Sequence, residues 1–275
     1  MRRFVMAVMM LGAAQTAQAA DMPDFPVLRG GVFPDGLSSS RTIWQGAYIG
    51  AQAAVGQSDM NFTGATRTIA ANMLDGLALE AAGQVSQWPL LGKTSQRGDG
   101  WGGFAGYNSQ WDDVVIGLEL SYIHGKFGGS DTGRMGRSIV DSGGYTNSVT
   151  YEASGKVAIS DIGTFRARAG YAFDRFLPYM FGGVALGQAD IVRTARISGR
   201  AVNTSAAPGF TNIPFDYSKT DAQYSHLLYG YTAGVGIDVN LIGSLFLRAE
   251  WEYIRFTSTV DTNINTVRAG VGYKF

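Results

Sequence analysis

Residues 267–275 alternate without a break: Val267, Ala269, Val271, Tyr273 and Phe275 fall on one face, and Arg268, Gly270, Gly272 and Lys274 on the other. Because successive strand residues point to opposite sides, this segment separates two environments. One is apolar and ends in two aromatics; the other is small or charged. A strand crossing a bilayer needs that pattern, with lipid outside, a crowded polar lumen inside and aromatics at the headgroup level. A soluble edge strand rarely finishes this way.

The other end of the chain points in the same direction. Arg2 and Arg3 precede an apolar run over 4–14, and Ala17-Gln18-Ala19 has the small-x-small spacing of a signal-peptidase site, so 1–19 is expected to be a signal peptide. That run is too short to span a bilayer, and no later segment approaches the roughly 20 apolar residues of a spanning helix. A membrane protein of this sequence must therefore be a barrel. The chain has no cysteine, which excludes disulfides, thiolate catalysis and thiolate metal sites. It carries 38 glycines, 15 Phe, 13 Tyr and 5 Trp, and its 22 basic residues balance 22 acidic ones, leaving no electrostatic case for nucleic acid.

The same alternation recurs along the chain. It is clear over 114–122, 165–173, 231–239 and 245–253, and blurred by small residues over 46–57, 101–110 and 177–187. With the last strand this predicts an all-β fold, an eight-stranded antiparallel transmembrane β-barrel in an up-and-down meander, spanning 44–275. Tight turns are expected at 111–113, 174–175 and 240–244. Long polar loops are expected at about 59–99, 125–158 and 188–224, with a shorter one at 255–263. Short turns facing the periplasm and long loops facing outward put both termini in the periplasm. Residues 20–43, with Pro23, Pro26 and Pro34, read as a flexible periplasmic segment. The aromatics sort into two girdles, Trp44, Tyr48, Trp111, Phe173, Phe176, Tyr273 and Phe275 at the turn end, and Trp101, Tyr122, Phe165, Tyr229, Trp251 and Tyr253 at the loop end.

The inward faces then carry Glu119, Asp238, Glu250 and Glu252 against Arg166, Arg168, Arg248, Arg268 and Lys274. Eight strands leave an interior just wide enough for side chains to fill. Charges at that density must pair, since an isolated buried charge costs several kcal/mol. A plugged scaffold is the leading reading; a narrow passive channel for ions or small solutes is the alternative, and a loop-mediated adhesin a third. Outside the lumen, Arg193, Arg196 and Arg200 follow the fifth strand where lipopolysaccharide phosphates would lie, and guanidinium suits phosphate. Ile69, Met73 and Leu77 recur at helical spacing, predicting a short helix, with Gly76 against it, that has three roles open to it: to cap the barrel mouth by self-packing, which is favoured, to lie on the membrane surface, or to bind a partner. An enzyme is not expected. The histidines, His124 and His226, sit at the loop-side rim, and Ser121, Ser225 and Asp221 complete no catalytic motif.

Trp44-Gln45-Gly46-Ala47-Tyr48-Ile49-Gly50, Ala105-Gly106-Tyr107-Asn108, the run 163–179 and Leu247-Arg248-Ala249-Glu250 resemble the small porin-like outer-membrane proteins of rhizobia, bradyrhizobia and brucellae, as does Ala20-Asp21-Met22-Pro23. The resemblance covers nearly every strand and leaves out the long loops. It implies a barrel related in architecture to the OmpA transmembrane domain, in a Gram-negative outer membrane, with a structural and surface-antigenic role and no catalytic residues to transfer. The expected partners are outer-membrane lipids and lipopolysaccharide and, during biogenesis, periplasmic chaperones and the assembly machinery. No cofactor is implied, and the barrel is expected to be a monomer. Val271, Tyr273 and Phe275 resemble the carboxyl-terminal signal that machinery reads. Phe275→Asp is therefore expected to lower the outer-membrane level sharply in cell fractions while export across the inner membrane continues; an undiminished level would refute that role.

Overall fold

The computed structural model describes residues 42–203, 205, 207, 211–258 and 260–275. The expected signal peptide and nearly all of the 20–43 segment lie outside the described residues. Eight strands form a closed antiparallel barrel in sequence order: β1 (Gly46–Asn61), β2 (Lys93–Trp111), β3 (Val114–Val140), β4 (Thr146–Tyr171), β5 (Phe176–Val202), β6 (Asn212–Ile242), β7 (Leu245–Phe256) and β8 (Asp261–Lys274). The ring closes where β8 pairs with β1, Ala53 opposite Ala269 and Tyr48 opposite Lys274, and the Phe275 amide donates to the Ala47 carbonyl at 2.9 Å. Hydrocarbon offers backbone groups no partner, so a sheet can cross it only when closed.

The three short turns fall where the sequence puts them. Asp112 and Asp174 adopt positive φ, +51° and +47°, and Gly243 takes +60°. Left-handed backbone is tolerated best by Gly, Asn and Asp, which explains these residues at two- or three-residue reversals. The lipid face is also as expected: Ile116, Leu118, Leu120, Val235, Leu247 and Val271 are exposed between the two aromatic levels. Two members of the lower girdle are not lipid-facing. Trp44 is 2% and Tyr48 3% exposed, both inside the barrel. They share parity with Gln52, an inward residue, and the run of Ala and Gly in β1 hides that parity in the sequence.

The largest departure lies above the membrane. The segments 125–158 and 188–224, expected as loops, are mostly strand: β3 and β4 run on to a turn at 141–145, and β5 and β6 extend as far. The extensions are amphipathic. Val149, Tyr151, Ala153, Val157, Ile159, Ile191, Ala195 and Ile197 are buried on the inner face, while Ser130, Thr132, Ser154, Thr194 and Ser198 take the opposite parity. At the first tip the Asp141 carboxylate accepts from Asn147 Nδ2 at 2.9 Å and from the amides of Gly143 and Tyr145 at 2.9 and 3.0 Å, and these bonds hold its pKa below the ordinary carboxylate value.

The chain between β1 and β2 covers this inner face. The expected helix is present as two short ones, α1 (Arg67–Leu74) and α2 (Ala78–Gly83), because Gly76 at φ +74° turns the chain between them. Ile69, Ala70 and Leu74 of α1 are buried with Phe62, Leu79, Val85 and Leu91 against the protruding strands. Thr66 Oγ1 meets Tyr151 Oη at 2.9 Å, and the Gly92 amide donates to Asp131 Oδ2 at 2.7 Å, tying the cap to β4 and β3. Sealing of the mouth by self-packing is therefore what the segment does. An epitope inserted at Gly143 is expected to be stained on intact cells and one at Gly243 only after permeabilisation; the reverse pattern would invert the topology.

Candidate functional site in the barrel lumen

Inward residues at mid-barrel come from β3 (Glu119), β4 (Arg166, Arg168), β6 (Asp238), β7 (Arg248, Glu250, Glu252) and β8 (Arg268), and all eight are at most 3% exposed. Four guanidinium groups face four carboxylates. Glu119 is the hub: it takes Arg166 Nη2 at 2.5 Å, Arg248 Nη1 at 2.7 Å, Arg168 Nη1 at 3.3 Å and the Tyr48 hydroxyl at 2.7 Å. Asp238 accepts from Arg168 Nη2 at 2.7 Å and Arg248 Nε at 2.9 Å. Glu250 pairs with Arg166 at 2.8 Å and accepts the Tyr179 hydroxyl at 2.5 Å. Glu252 pairs with Arg268 and accepts from Thr232 Oγ1 at 2.6 Å. Every carboxylate thus has at least one guanidinium and one further donor, the condition under which buried charges are tolerated.

Aromatic rings complete the layer. Arg168 lies over Tyr179 at 3.7 Å, Arg248 over Phe104 at 3.9 Å and Arg166 over Phe181 at 4.1 Å. On the periplasmic side Phe246 packs edge-on to Trp44 and Tyr48, with centroids 6.1 and 6.0 Å apart, and tilts against Phe104. Glycines make the room. A Cβ on Gly272 would run into the Phe246 ring, and one on Gly106 into the Tyr48 hydroxyl. On the outer side Gln52 Nε2 donates to Ser121 Oγ at 2.7 Å, and the apolar cap follows. The bore is filled at three successive heights, by aromatic, ionic and apolar layers.

Eight of the nine charges expected in the lumen thus form one network, and Lys274 does not join it. At the periplasmic mouth its ammonium donates to the Ile43 carbonyl and stands 5.5 Å from the Trp44 ring. The aromatic floor lies between it and the carboxylates. The three arginines expected in a loop stand on the protruding part of β5. Arg193 faces inward, pairs with Asp221 and donates to the Ala65 carbonyl at 3.1 Å, so it ties the cap down and is turned away from lipid. Arg196 and Arg200 face outward, Arg196 paired with Asp216 at 2.6 Å. Sequence reading passed over Tyr48, Tyr179, Phe104 and Phe181 as lumen residues; shared parity with Gln52, Leu177 and Asn108 was the available signal. Among the described residues no group of three or more His, Asp and Glu side chains is arranged to hold a metal ion.

A family model described as outer membrane protein beta-barrel domain matches residues 4–275. The 25 kDa outer-membrane immunogenic protein of Brucella ovis is 27% identical over 179 residues, 64% of this chain and 65% of that protein. The 22 kDa outer membrane protein of Rhizobium leguminosarum bv. viciae is 28% identical over 188 residues, 64% of this chain and 67% of that protein. The chain thus aligns with about two thirds of the length of these relatives. Among solved structures, the attachment invasion locus protein Ail of Yersinia pestis aligns with 84% of this chain and 99% of its own at 13% identity and TM-score 0.36. OprG of Pseudomonas aeruginosa aligns with 84% and 96% at 11% identity and TM-score 0.35.

Arg248→Ala removes the guanidinium shared by Glu119 and Asp238. Breaking a buried pair by removing one partner costs about 3–5 kcal/mol, whereas an exposed pair is worth about 0–1 kcal/mol. Denaturant titration of the refolded barrel should therefore show a large drop in midpoint for Arg248→Ala and almost none for Arg196→Ala; equal midpoints would show that water already solvates the lumen charges.

Proposed function

Since the chain belongs to the outer-membrane beta-barrel domain family, we propose that it serves as a closed scaffold of the Gram-negative outer membrane, maintaining envelope integrity and presenting a tall, rigid surface outside the cell. The observation that carries this reading is the filled bore. An ion crossing it would have to part guanidinium–carboxylate pairs in a dry interior and then pass the apolar layer beneath α1 and α2. Each of those steps costs several kcal/mol. Surface presentation draws support from the four protruding strands, whose outward face is polar, and from the name immunogenic carried by the Brucella relatives.

A narrow channel is the competing reading, and the protruding sheet also suits an adhesin. Planar-bilayer recording on the refolded chain distinguishes scaffold from channel. The parent should give no sustained conductance, and Arg248→Ala, where it remains folded, should admit water and produce steps the parent lacks. A parent that already conducts steadily, with Arg248→Ala altering only its ion selectivity, would replace the scaffold by a channel.

A further inference from the structure

We propose that the outer face of β2–β4, just above the lipid boundary, binds the phosphorylated sugar headgroup of an outer-leaflet glycolipid through His124, Lys126 and Arg97. The inference rests on the outer-membrane placement of the barrel and is independent of whether the lumen conducts.

The site is built around a bulge. The inward pairs Ile123–Ile162 and Phe127–Ile159 bracket Ser160 and Asp161 on β4, where the register slips. A bulge re-aims side chains, and here Asp161 stands opposite His124 on the outer face. Its Oδ1 accepts from the Tyr122 hydroxyl at 2.5 Å and lies 2.9 Å from His124 Nδ1, while Oδ2 accepts from Ser160 Oγ at 2.6 Å. With Nδ1 donating to the carboxylate, the imidazole is held in place and Nε2 is the ring nitrogen left for a ligand; the side chain is 51% exposed. Trp101, itself 70% exposed, stands edge-on to the ring at 6.2 Å.

Lys126 is the next outward residue on β3, and Arg97 is two positions beyond Asp99, the cross-strand neighbour of Lys126. Diagonal neighbours of this kind are roughly 7–8 Å apart, and His124 is the outward residue before Lys126, so the three line one strip of the outer face, which also holds the Asp99 carboxylate. Among the described residues neither Lys126 nor Arg97 is in an ion pair. Arginine and lysine suit a phosphate, the imidazole Nε2 left over by the Asp161 contact accepts from a sugar hydroxyl, and the exposed indole and phenol suit the boundary between acyl chains and sugar.

Height selects the lipid. At about 3.3 Å per residue and a tilt near 40°, His124 and Lys126 lie roughly 5 and 10 Å above the Tyr122 ring level, within or at the edge of the headgroup layer. Arg193 is seven positions past Leu186, which pairs with the rim residue Tyr229. It therefore stands roughly 18 Å above the boundary, and Arg196 and Arg200 higher still, beyond a lipid-linked phosphate.

The test uses the full mature chain in nanodiscs, with native mass spectrometry reading retention of a diphosphorylated diglucosamine lipid and of its dephosphorylated counterpart. Retention should favour the phosphorylated lipid. Lys126→Gln and Arg97→Gln should each weaken it about fivefold, the usual loss per basic group at an anionic surface, and His124→Gln, which displaces the Nε2 acceptor, should weaken it as well. Arg196→Gln and Arg200→Gln should leave it unchanged. Lys126 and Arg97 have no ion pair to lose, so their variants should keep the parent's denaturant midpoint and decide the result even where His124→Gln perturbs the fold. Equal retention of the two lipids would overturn the proposal, as would a loss that follows Arg196 and Arg200. Free glucosamine phosphate competing at the same concentration as the lipid would also overturn it, since the site would then bind a soluble phosphosugar.

Discussion

The hydrogen bonding of the backbone in hydrocarbon governs this molecule. Each amide and carbonyl at membrane depth must be paired within the protein, so the sheet has to return on itself, and β8 meets β1 over fourteen residue pairs. Once eight strands close, the bore is only as wide as the side chains that fill it. Alternation then assigns every second residue to lipid or lumen. The lipid face accepts any apolar group of suitable size. The lumen is more demanding, because what enters it must fit and must also be electrically neutral as a set.

Neutrality is reached by sharing. Glu119 serves three arginines, and Arg248 serves Glu119 and Asp238 in turn, with Tyr48 and Tyr179 supplying hydroxyl donors. No member can leave without stranding a partner, so the layer behaves as a unit. The aromatic rings above and below the guanidinium planes exclude water from it, which raises the cost of any opening.

Above the bilayer the constraint relaxes, since water can satisfy a strand edge. The four longest strands use this freedom and stand clear of the others, with an inner face that still needs covering. The residues between β1 and β2 supply that cover, so the apolar surface of β3–β5 becomes a second core. The same relaxation lets the outward face become polar. At the boundary between the two regimes the bulges gather, and there Asp161, His124 and Tyr122 are drawn together on the outside of the wall.

Much of this was legible in the residues themselves. Strand number, the short turns at Asp112, Asp174 and Gly243, the lipid face and eight of the lumen charges follow from a period of two, which is local and survives without tertiary information. Tyr48 was misplaced because its neighbours in β1 are largely alanine and glycine, which carry no sign of which side is wet, and Trp44 because it stands before β1, outside the alternation that would place it. The protruding strands were read as loops because serine, threonine and glycine fit a solvated strand face as well as a loop, and only burial of Val149, Tyr151 and Ile197 distinguishes the two. Which arginine meets which carboxylate was decided by the stagger between strands, a property of the closed ring. The sequence by itself determined that this chain forms a membrane barrel with a charged interior, because the two faces of each strand must match two solvents. Only the tertiary structure decided that the interior is paired and capped, because pairing depends on distances between residues as far apart in the chain as Glu119 and Arg248.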